Sequence, residues 1–135
     1  LTAWHFGETD LVSFGYQKAS PLLVFVYGAA LTCWLLLQEP DTLLYWTGII
    51  THNSTAALTA VEWITNVPVL IWFGIVAVMV LFNPDLTTFS WLHRFLFLLF
   101  LYLVSQTSLL TGFILYFSGW HSISAMLHVH HTVFK

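Results

Sequence analysis

The spacing of the charged residues constrains this chain more than any other feature of its sequence. Its 135 residues include only three Lys or Arg and six Asp or Glu. The charge-free runs include three that are strongly apolar, at residues 19–38, 63–84 and 95–134. Because about 20 apolar residues cross the hydrocarbon core of a bilayer as one helix, the first two runs each fit one span and the third fits two.

The composition also indicates a lipid environment. The chain is 59% hydrophobic and 7% charged, whereas a soluble domain carries about a quarter charged residues. In water such a chain would expose large apolar patches and aggregate. The small net charge of −3 and the few basic residues argue against a nucleic-acid partner. The predicted surroundings are therefore the lipid bilayer.

Turn and capping signals divide the chain into a predicted all-α polytopic transmembrane bundle of about four spans, a single domain over residues 1–135. Span A covers residues 21–38, and span B runs from 55 or 63 to 82 with a bend at Pro68. Span C covers residues 89–104 and span D covers 109–129, with a break between them at residues 105–108. Asn83-Pro84-Asp85 is a turn signal between spans B and C.

Two regions fall outside these spans. Residues 42–60 are predicted to form an interfacial segment, with Asn53 or Ser54 capping the next helix. A short additional span is the alternative there. Residues 1–18 resemble the tail of an earlier helix followed by a polar connection at residues 5–10. We therefore expect the chain to be the C-terminal part of a longer membrane protein.

Four spans place the basic residues on one side of the membrane. Lys18, Arg94 and Lys135 fall together, and Glu39, Asp41 and Glu62 fall on the opposite side. The positive-inside rule predicts that the side of the basic residues is cytoplasmic.

Histidines are the candidate functional residues. At about 1.5 Å of rise per residue, span D brings His121 and His128 to the same leaflet as His5, with His130 and His131 at its edge. Ionisable groups at membrane depth are candidates for function, and neutral imidazole binds iron, copper and zinc. His5 and His121 are thus predicted metal ligands, with interfacial or packing roles as the alternative.

Two motifs resemble those of a known family. Residues 2–10 read Thr-Ala-Trp-His-Phe-Gly-Glu-Thr-Asp, and residues 110–122 contain Gly-Phe, Tyr-Phe and Trp-His-Ser elements. Both are similar to motifs of the bacterio-opsin-related (Brp/Blh-type) β-carotene 15,15′-dioxygenases. Their wide separation also suits that family, so the resemblance covers the whole chain.

The resemblance implies a polytopic membrane enzyme that cuts β-carotene centrally into two retinals with dioxygen. It implies Fe(II) held by His5 and His121 with further histidines, and Asp10 orienting a liganding imidazole through a hydrogen bond. Phe113, Phe117 and Trp120 would offer flat apolar walls for the polyene. The expected setting is the plasma membrane of a prokaryote, where the retinal would supply a microbial rhodopsin.

The sequence departs from the family pattern in two ways. A Pro-His-Gly motif, expected upstream, is absent from these residues, and Ala125 stands one helical turn after His121 where the family usually has another histidine. His128 could replace that ligand only over a stretched distance of about 10 Å along the helix. The alternatives are a non-catalytic homologue that assists rhodopsin or retinal biogenesis, and a haem b electron carrier with His5 and His121 as axial ligands.

Overall fold

The computed structural model describes residues 2–14, 20–82 and 88–133. Its elements are the helices α1 (Thr2–Ser13), α2 (Pro21–Leu36), α3 (Pro40–Ile50), α4 (Thr55–Thr65), α5 (Val69–Leu81), α6 (Thr88–Val104), α7 (Leu109–Leu115) and α8 (Ser122–Val133), with a π-helical segment (Tyr116–His121) joining α7 to α8. Over these ranges no strand occurs, which confirms the all-α class.

Local sequence signals explain where several helices begin. The Ser20 hydroxyl accepts a hydrogen bond from the Leu23 amide at 3.2 Å, and Pro21 occupies the first turn, where its missing N–H costs nothing. Ser108 caps α7 in the same way, accepting from the Thr111 amide at 3.4 Å. The predicted start of span A and the predicted break between spans C and D are both confirmed.

The regions on either side of residue 54 bend sharply. Helices α4 and α5 meet at 67°, with Pro68 directly before α5, as the sequence predicted for span B. Helices α2 and α3 meet at 100°. Residues 42–60 do not form one helix, because His52 and Asn53 adopt left-handed backbone angles between α3 and α4. Ser54 takes the predicted N-cap position of α4, although its side chain makes no capping hydrogen bond.

The polar connection predicted at residues 5–10 was wrong, because these residues lie within α1. A helix sorts its polar side chains by face, so they need not interrupt it. Thr9 and Asp10 point into the bundle and are buried, whereas His5 and Glu8 point outward. The polar residues that indicated a loop are thus divided between an inner and an outer face.

Helices α1 and α2 pack with their backbones in close contact. A Cβ atom on Gly28 would overlap the carbonyl oxygen of Ala3, and one on Gly7 would overlap that of Val24. Only glycine allows so close an approach. This crossing places Phe6 and Leu11 of α1 in one core with Tyr27 and Leu31 of α2.

Arg94 of α6 is fully buried and links two other helices. Its guanidinium donates to the Phe14 carbonyl at 3.2 Å and to the Leu81 carbonyl at 3.4 Å. These carbonyls lie at the C-terminal ends of α1 and α5, where helix carbonyls lack intrahelical partners and attract a cation. The charge therefore joins α1, α5 and α6 at one end of the bundle.

No single helix in the described ranges is long and apolar enough to cross a membrane, but two bent pairs, α2 with α3 and α4 with α5, meet that test together by length and composition. Many large apolar side chains are exposed, among them Leu22, Ile50, Trp63, Leu70 and Phe82.

The close contact at Gly28 predicts that two glycine-to-alanine variants will differ in stability. Gly28→Ala should lower the free energy of unfolding by at least about 1–3 kcal/mol, because the new methyl group would push α1 away from α2. Gly74→Ala is the matched control in α5, where a Cβ meets nothing within 4 Å, and should be neutral or stabilising by up to about 1 kcal/mol. Thermal unfolding in detergent measures both, and equal midpoints would contradict the packing.

Candidate metal centre

The two histidines predicted as ligands lie next to each other. His5 comes from α1 and His121 from the last position of the π-helical segment. Their ring centroids are 5.2 Å apart and the planes meet edge-on at 72°. The structure thus brings the two motif histidines, one from each end of the chain, into direct contact.

Three aromatic rings surround His121. Phe6 lies 5.1 Å from it, Phe117 5.8 Å and Tyr116 6.1 Å, measured between ring centroids. The Nδ1 atom of His121 is buried and has no hydrogen-bond partner among the described residues. A buried nitrogen with no donor or acceptor is costly. Binding a metal or a proton donor at this atom would remove that cost.

The π-helical segment determines which way His121 faces. In an α-helix, five residues rotate the chain by about 500°, so Tyr116 and His121 would lie on different faces. In a π-helix, residue i bonds to residue i+5, and here the Ser122 amide donates to the Phe117 carbonyl. The rings of Tyr116 and His121 therefore lie on one face, and that face is the one that meets α1.

Asp10 has hydrogen-bond partners that the sequence did not predict. It is fully buried. Its Oδ2 atom accepts from the Tyr116 hydroxyl at 2.6 Å and from the Tyr27 hydroxyl at 3.2 Å. Leaving a buried carboxyl without partners would cost about 1–3 kcal/mol. Among the described residues no imidazole donates to Asp10, and Tyr116, which does donate to it, has its ring 6.1 Å from that of His121.

The three residues predicted to line a substrate wall do not form one surface. Phe113 and Phe117 stack at 5.3 Å, and Phe117 continues to Phe6 and His121. Trp120 instead packs in a separate aromatic cluster with Phe14, His93, Phe97 and Phe100. Phe117 is therefore the member of this set that directly borders the histidine pair.

His93 of α6 was not singled out from the sequence. It is half-buried, its ring lies 4.7 Å from Trp120, and its buried Nε2 has no hydrogen-bond partner among the described residues. A histidine beside an arginine in a largely apolar helix was the available signal. Its recorded ring contacts are with Phe14 and Trp120, so it belongs to the Trp120 cluster rather than to the histidine pair.

The remaining candidates lie in α8. Ala125 follows His121 by one helical turn and can supply no ligand. The side chains of His128, His130 and His131 lie outside the described part of the structure. Within the described part, no group of three or more His, Cys, Asp or Glu residues could hold a metal ion. The histidine pair thus provides two candidate ligands.

The geometry of the pair fits a shared metal ion. Imidazole nitrogens bind a metal such as zinc at about 2.0–2.1 Å, which puts the ring centroids of neighbouring ligands roughly 4.5–5.5 Å apart. The observed 5.2 Å falls in this range. The unpartnered Nδ1 of His121 supplies a free donor atom, and nitrogen donors of this kind suit iron.

Over the described residues, these observations define a helical protein in which His5 and His121 lie side by side and aromatic rings surround His121. The β-carotene 15,15′-dioxygenase family model matches residues 1–134. The chain belongs to that family, which confirms the resemblance of its two motifs. Comparisons with curated proteins and with solved structures gave no match.

The placement of Trp120 predicts that it stabilises the fold. Trp120→Ala should lower the free energy of unfolding by about 3–5 kcal/mol, because it removes the ring at the centre of the cluster. Trp63→Ala is the matched control, since Trp63 on α4 is 74% exposed. Thermal unfolding in detergent would compare the two, and a Trp120 variant as stable as the Trp63 variant would contradict the packing role.

Proposed function

We propose that the protein is a membrane-embedded dioxygenase that cleaves β-carotene centrally into two retinals, using an iron held in part by His5 and His121. Membership of the β-carotene 15,15′-dioxygenase family supports the reaction. The main support for the iron site is the 5.2 Å distance between the ring centroids of His5 and His121. The further ligands would be histidines beyond this pair.

Each residue of the site has a role in this proposal. His5 and His121 hold the ion as neutral imidazoles, and Phe6 and Phe117 exclude water from the His121 ring. When bound, Fe(II) with open coordination positions supplies the activation of dioxygen. The stacked rings of Phe113 and Phe117 give a flat apolar surface on which part of a polyene can lie.

The substrate and the surface both support the proposed bilayer location. β-Carotene is a hydrocarbon that partitions into lipid, so an enzyme in the membrane meets it there. The exposed apolar side chains and the two bent helix pairs suit such surroundings. In this proposal the protein lies in the plasma membrane of a prokaryote with Lys18, Arg94 and Lys135 on the cytoplasmic side, and its retinal supplies a microbial rhodopsin.

The histidine pair predicts a joint loss of metal and activity. In a β-carotene-accumulating host, His5→Ala and His121→Ala in the full-length protein should each lower retinal and bound iron. Each variant should lose more than the roughly 10- to 100-fold in metal affinity or activity that is typical when only the hydrogen-bond partner of a metal ligand is removed. Retinal is measured by chromatography and iron by elemental analysis.

The control for this experiment is His52→Asn. His52 is exposed between α3 and α4 with a left-handed backbone that asparagine tolerates, so this variant should retain both retinal and iron. Retinal formation that survives loss of either His5 or His121 would refute the proposed ligands.

The bilayer location predicts how the protein fractionates. After cell lysis, the full-length protein should stay with the membrane pellet through an alkaline carbonate wash and should enter solution only with detergent, because its exposed apolar surface needs lipid or detergent contact. A peripheral membrane protein of the same host serves as the control that the wash releases. Release into the carbonate supernatant would contradict the embedding.

One observation favours a non-catalytic homologue as the second candidate. Ala125 takes the place of a ligand that the family pattern has one turn after His121. Two imidazoles alone would hold an iron weakly, and such a protein could bind carotenoid or assist retinal biogenesis without cleavage. Purified protein with stable helices and no stoichiometric iron would favour this candidate over the dioxygenase.

The ring geometry is less suited to a haem b carrier. Two axial imidazoles lie on opposite sides of one iron, with their centroids roughly 6.5 Å apart and a flat macrocycle between them. The observed rings are closer and edge-on, and Phe6 packs against His121. We expect the purified protein to show no Soret band in its absorption spectrum.

A further inference from the structure

A cluster of three buried side chains lies beside the histidine pair. Asp10 of α1 accepts hydrogen bonds from Tyr27 of α2 and from Tyr116 of the π-helical segment. All three residues are completely inaccessible to solvent. This cluster therefore connects α1, α2 and the π-helical segment by directional bonds rather than by apolar packing alone.

The cluster and the pair form two connections between the same two segments. Asp10 lies five residues after His5 on α1, and Tyr116 lies five residues before His121 on the π-helical segment. One connection is the 2.6 Å hydrogen bond from Tyr116 to Asp10, and the other is the contact of the two imidazoles. Because Asp10 follows His5 whereas its partner Tyr116 precedes His121, α1 and the π-helical segment run antiparallel. The hydrogen bond therefore limits how far one segment can slide along the other.

The π-helical geometry transmits this constraint to His121. Because Tyr116 and His121 share one face, their ring centroids lie 6.1 Å apart and their planes are tilted by 31°. Phe6 fills the space between α1 and this face, 5.8 Å from Tyr116 and 5.1 Å from His121. Rotation of the segment about its axis would move both rings together, so holding Tyr116 also holds His121.

We propose that Asp10 and Tyr116 are positioning residues, whose hydrogen bond fixes the π-helical segment against α1 and thereby sets the separation of the His5 and His121 rings. The consequence for metal binding rests on the proposed function, whereas the effect on the ring separation does not. Neither residue needs to contact the ion.

Tyr27 offers a matched comparison for Tyr116. Both hydroxyls donate to the same Asp10 oxygen, so Tyr27→Phe and Tyr116→Phe each remove one donor from it. Tyr27 belongs to α2, however, and carries no imidazole on its own helix. A general stabilising role for the cluster predicts similar effects for the two variants. A positioning role predicts a larger effect on the pair from Tyr116→Phe.

The test measures the ring separation without any metal. Nuclear Overhauser effects between the His5 and His121 ring protons are recorded on the detergent-solubilised full-length protein, selectively labelled at histidine. Tyr116→Phe should lose or strongly weaken this cross peak, while Tyr27→Phe keeps it. Circular dichroism checks that both variants retain the wild-type helix content. Equal cross peaks in the two variants would overturn the proposal.

A second readout uses Co²⁺ as a spectroscopic probe of the pair. Tyr116→Phe should bind Co²⁺ about 10- to 100-fold more weakly than Tyr27→Phe, the range expected when a support of a metal ligand is lost. Asp10→Asn should recover most of the affinity that Asp10→Leu loses, because an amide oxygen can still accept from Tyr116. Equal affinities in the asparagine and leucine variants would count against positioning by this bond.

The two proposals fail in different ways. If wild-type protein binds neither Co²⁺ nor iron while the cross peak still depends on Tyr116, the metal function is wrong and the positioning role stands. If wild-type protein binds the ion and the cross peak does not depend on Tyr116, the positioning role is wrong and the metal function stands.

Discussion

The close approach of α1 to α2 at Gly7 and Gly28 is the constraint on which the site depends. With backbones in contact, the Tyr27 hydroxyl of α2 reaches Asp10 of α1 across the crossing. The Oδ2 atom of Asp10 is thus hydrogen-bonded although the residue is buried, and it also accepts a hydrogen bond from Tyr116. A larger side chain at either glycine would push the two helices apart and weaken this arrangement.

The sequence was sufficient to predict the helical class, several helix boundaries and the histidine pair. Helix boundaries and bends are decided by local properties of the chain, which can be read directly from the sequence. The local signals here were the charge-free runs, Ser20 with Pro21, Pro68, and the polar residues 105–108. The pairing of His5 with His121 followed from their predicted membrane depth and from two motifs of one family. None of these inferences required knowledge of side-chain packing.

Other features could not be read from the sequence because they depend on contacts between distant residues. Residues 5–10 look like a loop in composition, and only burial of Thr9 and Asp10 against other helices explains why they are helical. The π-helical segment has no distinctive local pattern in Tyr-Phe-Ser-Gly-Trp-His. The partners of Asp10 lie 17 and 106 residues away, so no spacing rule identifies them.

The buried guanidinium of Arg94 has a consequence for local opening of the bundle. Because it binds the terminal carbonyls of both α1 and α5, neither helix end can fray without breaking a bond to the same cation. The two ends should therefore open as one cooperative unit, with amide hydrogens there exchanging on a common timescale. A disturbance at the end of α5 would then reach the helix that carries His5 through one side chain of α6.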